Sequence, residues 1–278
     1  MSSPPQPHRP RHIPTAYHGS DTVQPNKVKA KLKAGGTVNG SYVRHPDCGL
    51  AEILCHLGYD YLLFDGEHAP IGDRECENLV RVCELTGVTP ISRVPANQTW
   101  MISRRLDTGM QGIQIPMVNS RAEAEAAVSA AKYAPLGIRG LAGSRAANYG
   151  QKPGFNYPDH VRFCNEETMV IVQVETPQAI DALPQIIQVP GIDVIFIGPT
   201  DLSLSMGHPG NIQHPEVQAA LTKITDIVLP SDKALGILAV TAEATLEWHE
   251  RGARYILSVF ESLMAPAIRN YLKTVRGE

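Results

Sequence analysis

The chain has 278 residues, 43% of them hydrophobic and 19% charged, with a net charge of −3 at pH 7. That length fits one large globular domain or two small ones, and folding can bury roughly 70–75% of the unfolded surface without disulfide or metal staples. The charge gives no electrostatic case for nucleic acid or an anionic membrane. No apolar run approaches the ~20 residues of a membrane-spanning helix, and no signal-peptide core follows the N-terminus. The expectation is a soluble, cytoplasmic protein.

Residues 1–25 are rich in Pro, Ser and His, lack acids before Asp21 and show no periodicity, which reads as a disordered tail. His8, His12 and His18 are expected there as solvated side chains, and the prolines oppose a transit-peptide helix despite Arg9 and Arg11. From Lys27 onward strand-like and helix-like segments alternate. Thr37–Val43 reads as a first strand, followed by a helix from Asp47 to Leu57 that Gly58 ends. Tyr61–Asp65 is the second strand, with a helix over Asp73–Leu85. Thr89–Val94 is the third, and Asn97 is the expected N-cap of a helix ended by Gly109. Gly112–Met117 is the fourth strand, and the alanine-rich Ser120–Ala134 is a strong helix. Met169–Glu175 and Asp193–Asp201 hold the fifth and sixth strands, joined by a helix over Pro177–Gln188. A helix at Pro215–Val228 leads to the seventh strand, Ala234–Val240; the eighth is Arg254–Val259, flanked by terminal helices.

Eight such units across residues 26–278 match a single (β/α)8 TIM-barrel domain. The competing doubly wound sheet usually needs a Gly-rich turn after its first strand if it binds a dinucleotide, and Val43-Arg-His-Pro-Asp47 is not one. The long Gly/Ala/Ser connection from Gly137 to Tyr157 is expected to be a lid or a subunit contact. Five cysteines without a C-x-x-C pair indicate neither a disulfide framework nor a zinc knuckle, and they read as small buried helix-face side chains.

In such a barrel the carboxyl ends of the strands share one pocket. Those ends carry Asp65, Glu67 and His68, then Arg93, Gln173 and Glu175, then Gly198, Pro199, Thr200 and Asp201. Glu175 and Asp201 could merely cap the helices that follow. An acid at the inner end of a buried strand is costly unless paired or metal-bound, however, so the pair favours a hard divalent cation such as Mg²⁺ or Mn²⁺. His68, flanked by acids, suits a base near neutral pKa. Arg93 suits a substrate anion, because its fork matches a carboxylate. No lysine stands at an expected strand end, which disfavours a Schiff-base mechanism.

Six segments in order carry a specific resemblance: Phe64–Pro70, Ser92–Pro95, Ile115–Val118, Tyr133–Gly140, Val172–Thr176 and Phe196–Ser203. They resemble the HpcH/HpaI family of metal-dependent class II pyruvate aldolases, from about Lys27 to the C-terminus. The resemblance implies cleavage of a 4-hydroxy-2-oxoacid to pyruvate and an aldehyde, with Mg²⁺, Mn²⁺ or Co²⁺ held by Glu175 and Asp201. His68 is then the proton acceptor, Arg93 the transition-state stabiliser and Asp107 the acid that raises the histidine's basicity. Asp65 orients the imidazole, while Gln173, Gly198, Pro199, Thr200 and Asp201 contact substrate. Thr200 stands where the family often has alanine. The resemblance also implies a homo-oligomer, a hexamer or trimer. Related alternatives are an oxaloacetate decarboxylase and a CoA-thioester lyase, and the non-enzyme alternative is an inactive barrel scaffold. The aldehyde partner is expected to depend on loop residues between Gly137 and Tyr157.

Overall fold

The computed structural model describes residues 24–278. The expected tail lies outside the described residues except for its last two. Of these Gln24 is fixed, its amide donating to the Glu84 carbonyl at 2.9 Å and its own carbonyl accepting from the Gln111 side chain.

An opening helix α1 (Lys27–Lys33), capped by Asn26, precedes β1 (Val38–Val43) and α2 (Cys48–His56). The chain continues through β2 (Tyr61–Asp65), α3 (Asp73–Thr86), β3 (Thr89–Arg93), α4 (Thr99–Asp107), β4 (Gly112–Ile115) and α5 (Arg121–Ala131). Next come α6 (Tyr157–Glu167), β5 (Met169–Val174), α7 (Pro177–Ile186), β6 (Val194–Ile197), α8 (Pro199–Ser205) and α9 (Pro215–Val228). The last elements are β7 (Ala234–Leu238), α10 (Ala242–Glu250), β8 (Tyr255–Val259) and α11 (Phe260–Arg276). All eight strands are parallel, and β8 pairs back onto β1 to close the expected barrel.

Two cores follow from the two-residue period of a strand. Leu63, Ile171, Phe196 and Leu257 point inward and fill the barrel, whereas Leu62, Val172, Ile195 and Ile256 point outward against the helices. Interior packing is tight enough to demand glycine in one place. A Cβ on Gly40 would stand 2.3 Å from the ring of Tyr61, which stacks on Tyr255 at 4.5 Å.

Several boundaries differ from expectation. Helix α4 is capped at Gln98, because the Asn97 amide instead donates to the Glu123 carbonyl at 2.9 Å. The sixth strand stops at Ile197: Gly198 breaks it and Pro199, with its preset φ, opens α8, so Asp201 rises from the first turn of a helix. Cys48 is exposed at the start of α2, while the other four cysteines are buried as expected. The Gly137–Tyr157 connection is not a lid within this chain. It follows a helix, so it returns to the amino-terminal face of the barrel. There Arg139 pairs with Asp107 at 2.8 Å and Arg145 with Glu84 at 2.5 Å, each acid near the end of its helix.

Candidate active site

Strand register builds the mouth of the barrel. Asp65 stands opposite Arg93, and Arg93 opposite Gln114. The Arg93 fork donates from Nε to Asp65 Oδ1 at 2.9 Å and from Nη2 to Oδ2 at 2.7 Å, while Nη1 lies 3.0 Å from Glu67 Oε2. Its guanidinium also sits 4.7 Å above the Tyr42 ring. Burial alone would raise the Asp65 carboxyl, but Arg93 and the N–H groups of His68 and Glu67 overcome it and hold the group below its ordinary value. Those two N–H bonds, at 3.2 and 3.1 Å, mean that Asp65 shapes the turn carrying His68. The imidazole itself lies 3.8 Å from Glu67 Oε2 and stays largely exposed to the cavity.

Across the mouth, Glu175 follows β5 and is 98% removed from solvent, with 2% exposure remaining. Its Oε1 accepts from the Met117 N–H at 2.7 Å and its Oε2 from Gln173 Nε2 at 2.7 Å. Gln114 in turn donates to Gln173 at 2.6 Å, so a file of amides fixes the carboxylate. Burial pushes the Glu175 carboxyl up to about 6, against those two donors and with help from the negative charges of Asp201 and Glu67. Glu67 is raised as well, first by burial, then by Asp65 and Asp201 against the opposing pull of Arg93. Carboxylates that raise one another in this way, Asp201 acting on both Glu175 and Glu67, suit a cation. Gly198 keeps the space open, since a Cβ there would lie 2.4 Å from Glu175 Oε2. Met117 holds a left-handed φ of 55°, a strained conformation for a side-chain-bearing residue that aims its N–H at Glu175.

Tyr42, Arg44, Asp65, His68, Arg93, Gln173, Gly198, Pro199, Thr200 and Asp201 share one cavity of about 250 Å³, walled on the β7–β8 side by Leu238 and Val259. Of the sequence-derived set, Asp107 alone is brought nowhere near it. It ends α4 at the foot of the barrel and is held by Arg139. A further cluster, His208, His214 and Glu216, brings possible metal-ligand atoms within 4.8 Å of one another. Its hydrogen bonds explain it locally: Glu216 Oε2 meets His208 Nε2 at 2.7 Å, and His214 caps α9.

The family described as HpcH/HpaI aldolase/citrate lyase matches residues 40–262. The chain belongs to that family. The 4-hydroxy-2-oxo-heptane-1,7-dioate aldolase of Escherichia coli is 38% identical over 245 residues, covering 87% of this chain and 92% of that protein. An HpcH/HpaI aldolase/citrate lyase family protein from Burkholderia cenocepacia superposes with a TM-score of 0.85 at 33% identity, covering 90% of this chain and 99% of the other. The HpcH/HpaI aldolase of Desulfitobacterium hafniense gives a TM-score of 0.82 at 31% identity, covering 89% and 96%. Membership makes the chain a carbon–carbon lyase.

This HpcH/HpaI barrel uses mouth residues that a survey of strand ends passes over. Tyr42, under Arg93, stands one residue inside the end of β1, and burial raises its hydroxyl well above the ordinary range. Gln114 is interior on β4 and links Tyr42 to Gln173. Arg44 lies just past β1. A count of alternate residues along β1 and β4 would have found the first two, because the two-residue period that buries Val38 also turns Tyr42 inward.

Proposed function

We propose that this chain is a divalent-metal-dependent aldolase that cleaves, or forms, 4-hydroxy-2-oxoacids, giving pyruvate and an aldehyde. One observation carries the reading: a buried, cation-seeking Glu175, bonded to the cavity-lining Gln173 and coupled to Asp201, stands beside the one cavity that Asp201, an arginine and an exposed histidine share. Glu175 and Asp201 would hold the ion, Mg²⁺, Mn²⁺ or Co²⁺, as hard oxygen donors. When bound, it supplies Lewis-acid stabilisation of the negative charge that cleavage leaves on the 2-oxoacid fragment.

The residues of the chain do the rest. His68 Nε2, open to the cavity, takes the C4 hydroxyl proton as the C3–C4 bond breaks and its electron pair passes to the pyruvate fragment. Arg93 stabilises that developing charge. Asp65 and Glu67 keep its fork aimed from below, so its position is fixed before substrate arrives. Gln173 fixes Glu175 and lines the same cavity. Gly198, Pro199 and Thr200 present main chain at the start of α8, which no side chain caps. Substitution of alanine by threonine at a position used through its backbone leaves that contact intact.

The 17-residue α11 buries only Phe260 and exposes Leu263, Met264, Ile268, Tyr271 and Val275, an apolar stripe that supports a homo-oligomer. Asp107 at the barrel's foot can serve the histidine only where a second copy brings that surface to the mouth. Among the described residues no helix is long and apolar enough to cross a membrane. A cytoplasmic location is supported by five free cysteines, as a reducing compartment allows. The direct test is exchange of pyruvate methyl protons in D₂O. Exchange that requires Mn²⁺ or Mg²⁺ and stops with EDTA supports the pyruvate aldolase; no exchange under any metal rejects it in favour of a lyase of the same family acting on a different donor.

A further inference from the structure

A separate cavity of about 320 Å³ opens at the foot of the barrel, at the end opposite the mouth. Its wall comes from α1 and from the starts of the last four strands. Met169 opens β5, Ala234 opens β7, and Asp193 and Arg254 directly precede β6 and β8. The six residues of β5 span ~20 Å, so a small molecule held here stays clear of Glu175.

Charge in this wall is unbalanced. Lys29 is 8% exposed and is neutralised by Asp193 at 3.2 Å, while Asp232 lies 3.0 Å from Lys233. Lys33 and Arg254 line the same cavity, and neither forms an ion pair among the described residues. Arg254 Nη1 donates to the Leu32 carbonyl at 2.8 Å, which pins the guanidinium to α1 one residue from Lys33. Its Nε and Nη2 edges are left for a ligand.

A neighbouring group registers the surplus. Lys132 donates to the Asn165 and Thr168 carbonyls at 2.8 and 2.7 Å, and Lys29 donates to that same Thr168 carbonyl at 3.1 Å. Burial holds the Lys132 ammonium down to about 7, helped by the positive charges of Lys29 and Lys33 against Asp193 and Cys164. An anion in the cavity relieves that mutual repulsion.

We propose that the foot cavity is a binding site for a small dianion, held between the Arg254 fork and the Lys33 ammonium and distinct from the substrate site at the mouth. The guanidinium matches a carboxylate or phosphate group through two N–H edges, and the ammonium supplies a second point of charge. A dicarboxylate and a phosphate share this chemistry. They differ in what they offer Leu32, Met169, Ile192 and Ala234, the apolar part of the wall, which only a carbon chain can cover.

Calorimetric titration of the full chain with Mg²⁺ present, at an ionic strength of about 0.15 M, tests the site with succinate and with inorganic phosphate. Wild type should bind at least one of them saturably, with Kd below about 1 mM, while sodium chloride at matched ionic strength gives no saturable heat. Lys33→Glu alters an exposed, unpaired side chain, and Arg254→Gln keeps a donor for the Leu32 carbonyl. Each should weaken binding at least about tenfold, the scale of one charge-assisted hydrogen bond. Metal-dependent exchange of pyruvate methyl protons should stay at the wild-type rate in both variants. Tighter binding of succinate assigns the site to dicarboxylates, and tighter binding of phosphate assigns it to phosphoryl groups. Binding that survives both substitutions belongs elsewhere on the chain and overturns the proposal, as does a wild type that binds neither anion saturably.

Discussion

Glu175 gives a quantitative handle on the site. Its carboxyl titrates at about 6 in the folded chain against an ordinary 4.5, chiefly because burial disfavours the charged form. The gap corresponds to ~2 kcal/mol between the two protonation states. A folded value above the unfolded one means that the folded state binds the extra proton. Its stabilisation is complete below the unfolded value and is lost as pH rises through the folded one. Between pH 5 and pH 7.5 the cation-free protein should thus lose ~1 kcal/mol that Glu175→Gln does not lose, the remaining part lying below pH 5. Denaturant unfolding in EDTA at the two pH values, on wild type and Glu175→Gln, reads this difference. The same carboxyl must deprotonate to hold a cation, so wild-type Mn²⁺ affinity should fall about tenfold for each pH unit below 6. Parallel pH dependence of wild type and Glu175→Gln, together with Mn²⁺ affinity flat from pH 5 to 7.5, would refute the reasoning.

Three further outcomes follow from contacts in the mouth and at the foot. Arg93→Ala leaves Asp65 buried without its partner and should destabilise the fold by about 3–5 kcal/mol; Arg93→Lys should recover much of that stability while kcat remains depressed, as paired unfolding and turnover measurements would show. Gly198→Ala places a methyl 2.4 Å from Glu175 Oε2, so it should weaken Mn²⁺ binding at least about tenfold with little change in unfolding midpoint, measured by calorimetric titration. Asp107→Asn removes the charge paired with Arg139. If a neighbouring copy's acid acts on His68, this variant should shift the pH profile of kcat; a profile superimposable on wild type denies Asp107 that role.

The barrel was legible because Val/Ile runs at regular spacing, ended by Gly or an N-cap, leave little freedom of interpretation. Helix α6 was not, since its polar sequence buries only His160 and Cys164. Helix α8 was hidden because Gly198-Pro199 ends an apolar run that looks continuous on paper. The convergence of His68, Arg93, Gln173, Glu175 and Asp201 could be anticipated from the rule that strand ends share a pocket. What those side chains touch could not. The bidentate capture of Arg93 depends on Asp65 and Arg93 standing opposite each other in register, a relation between strands that neither strand's sequence contains. Asp107 came from resemblance alone, and a single chain keeps it at the far end of the barrel.

Manganese-soaked crystals address the central assignment most directly. Anomalous scattering should reveal one ion bonded to both Glu175 and Asp201 at the barrel mouth, on the same cavity as His68 and Arg93. A mouth with no anomalous peak, or a peak bound elsewhere with Glu175 still held only by Met117 and Gln173, would contradict it.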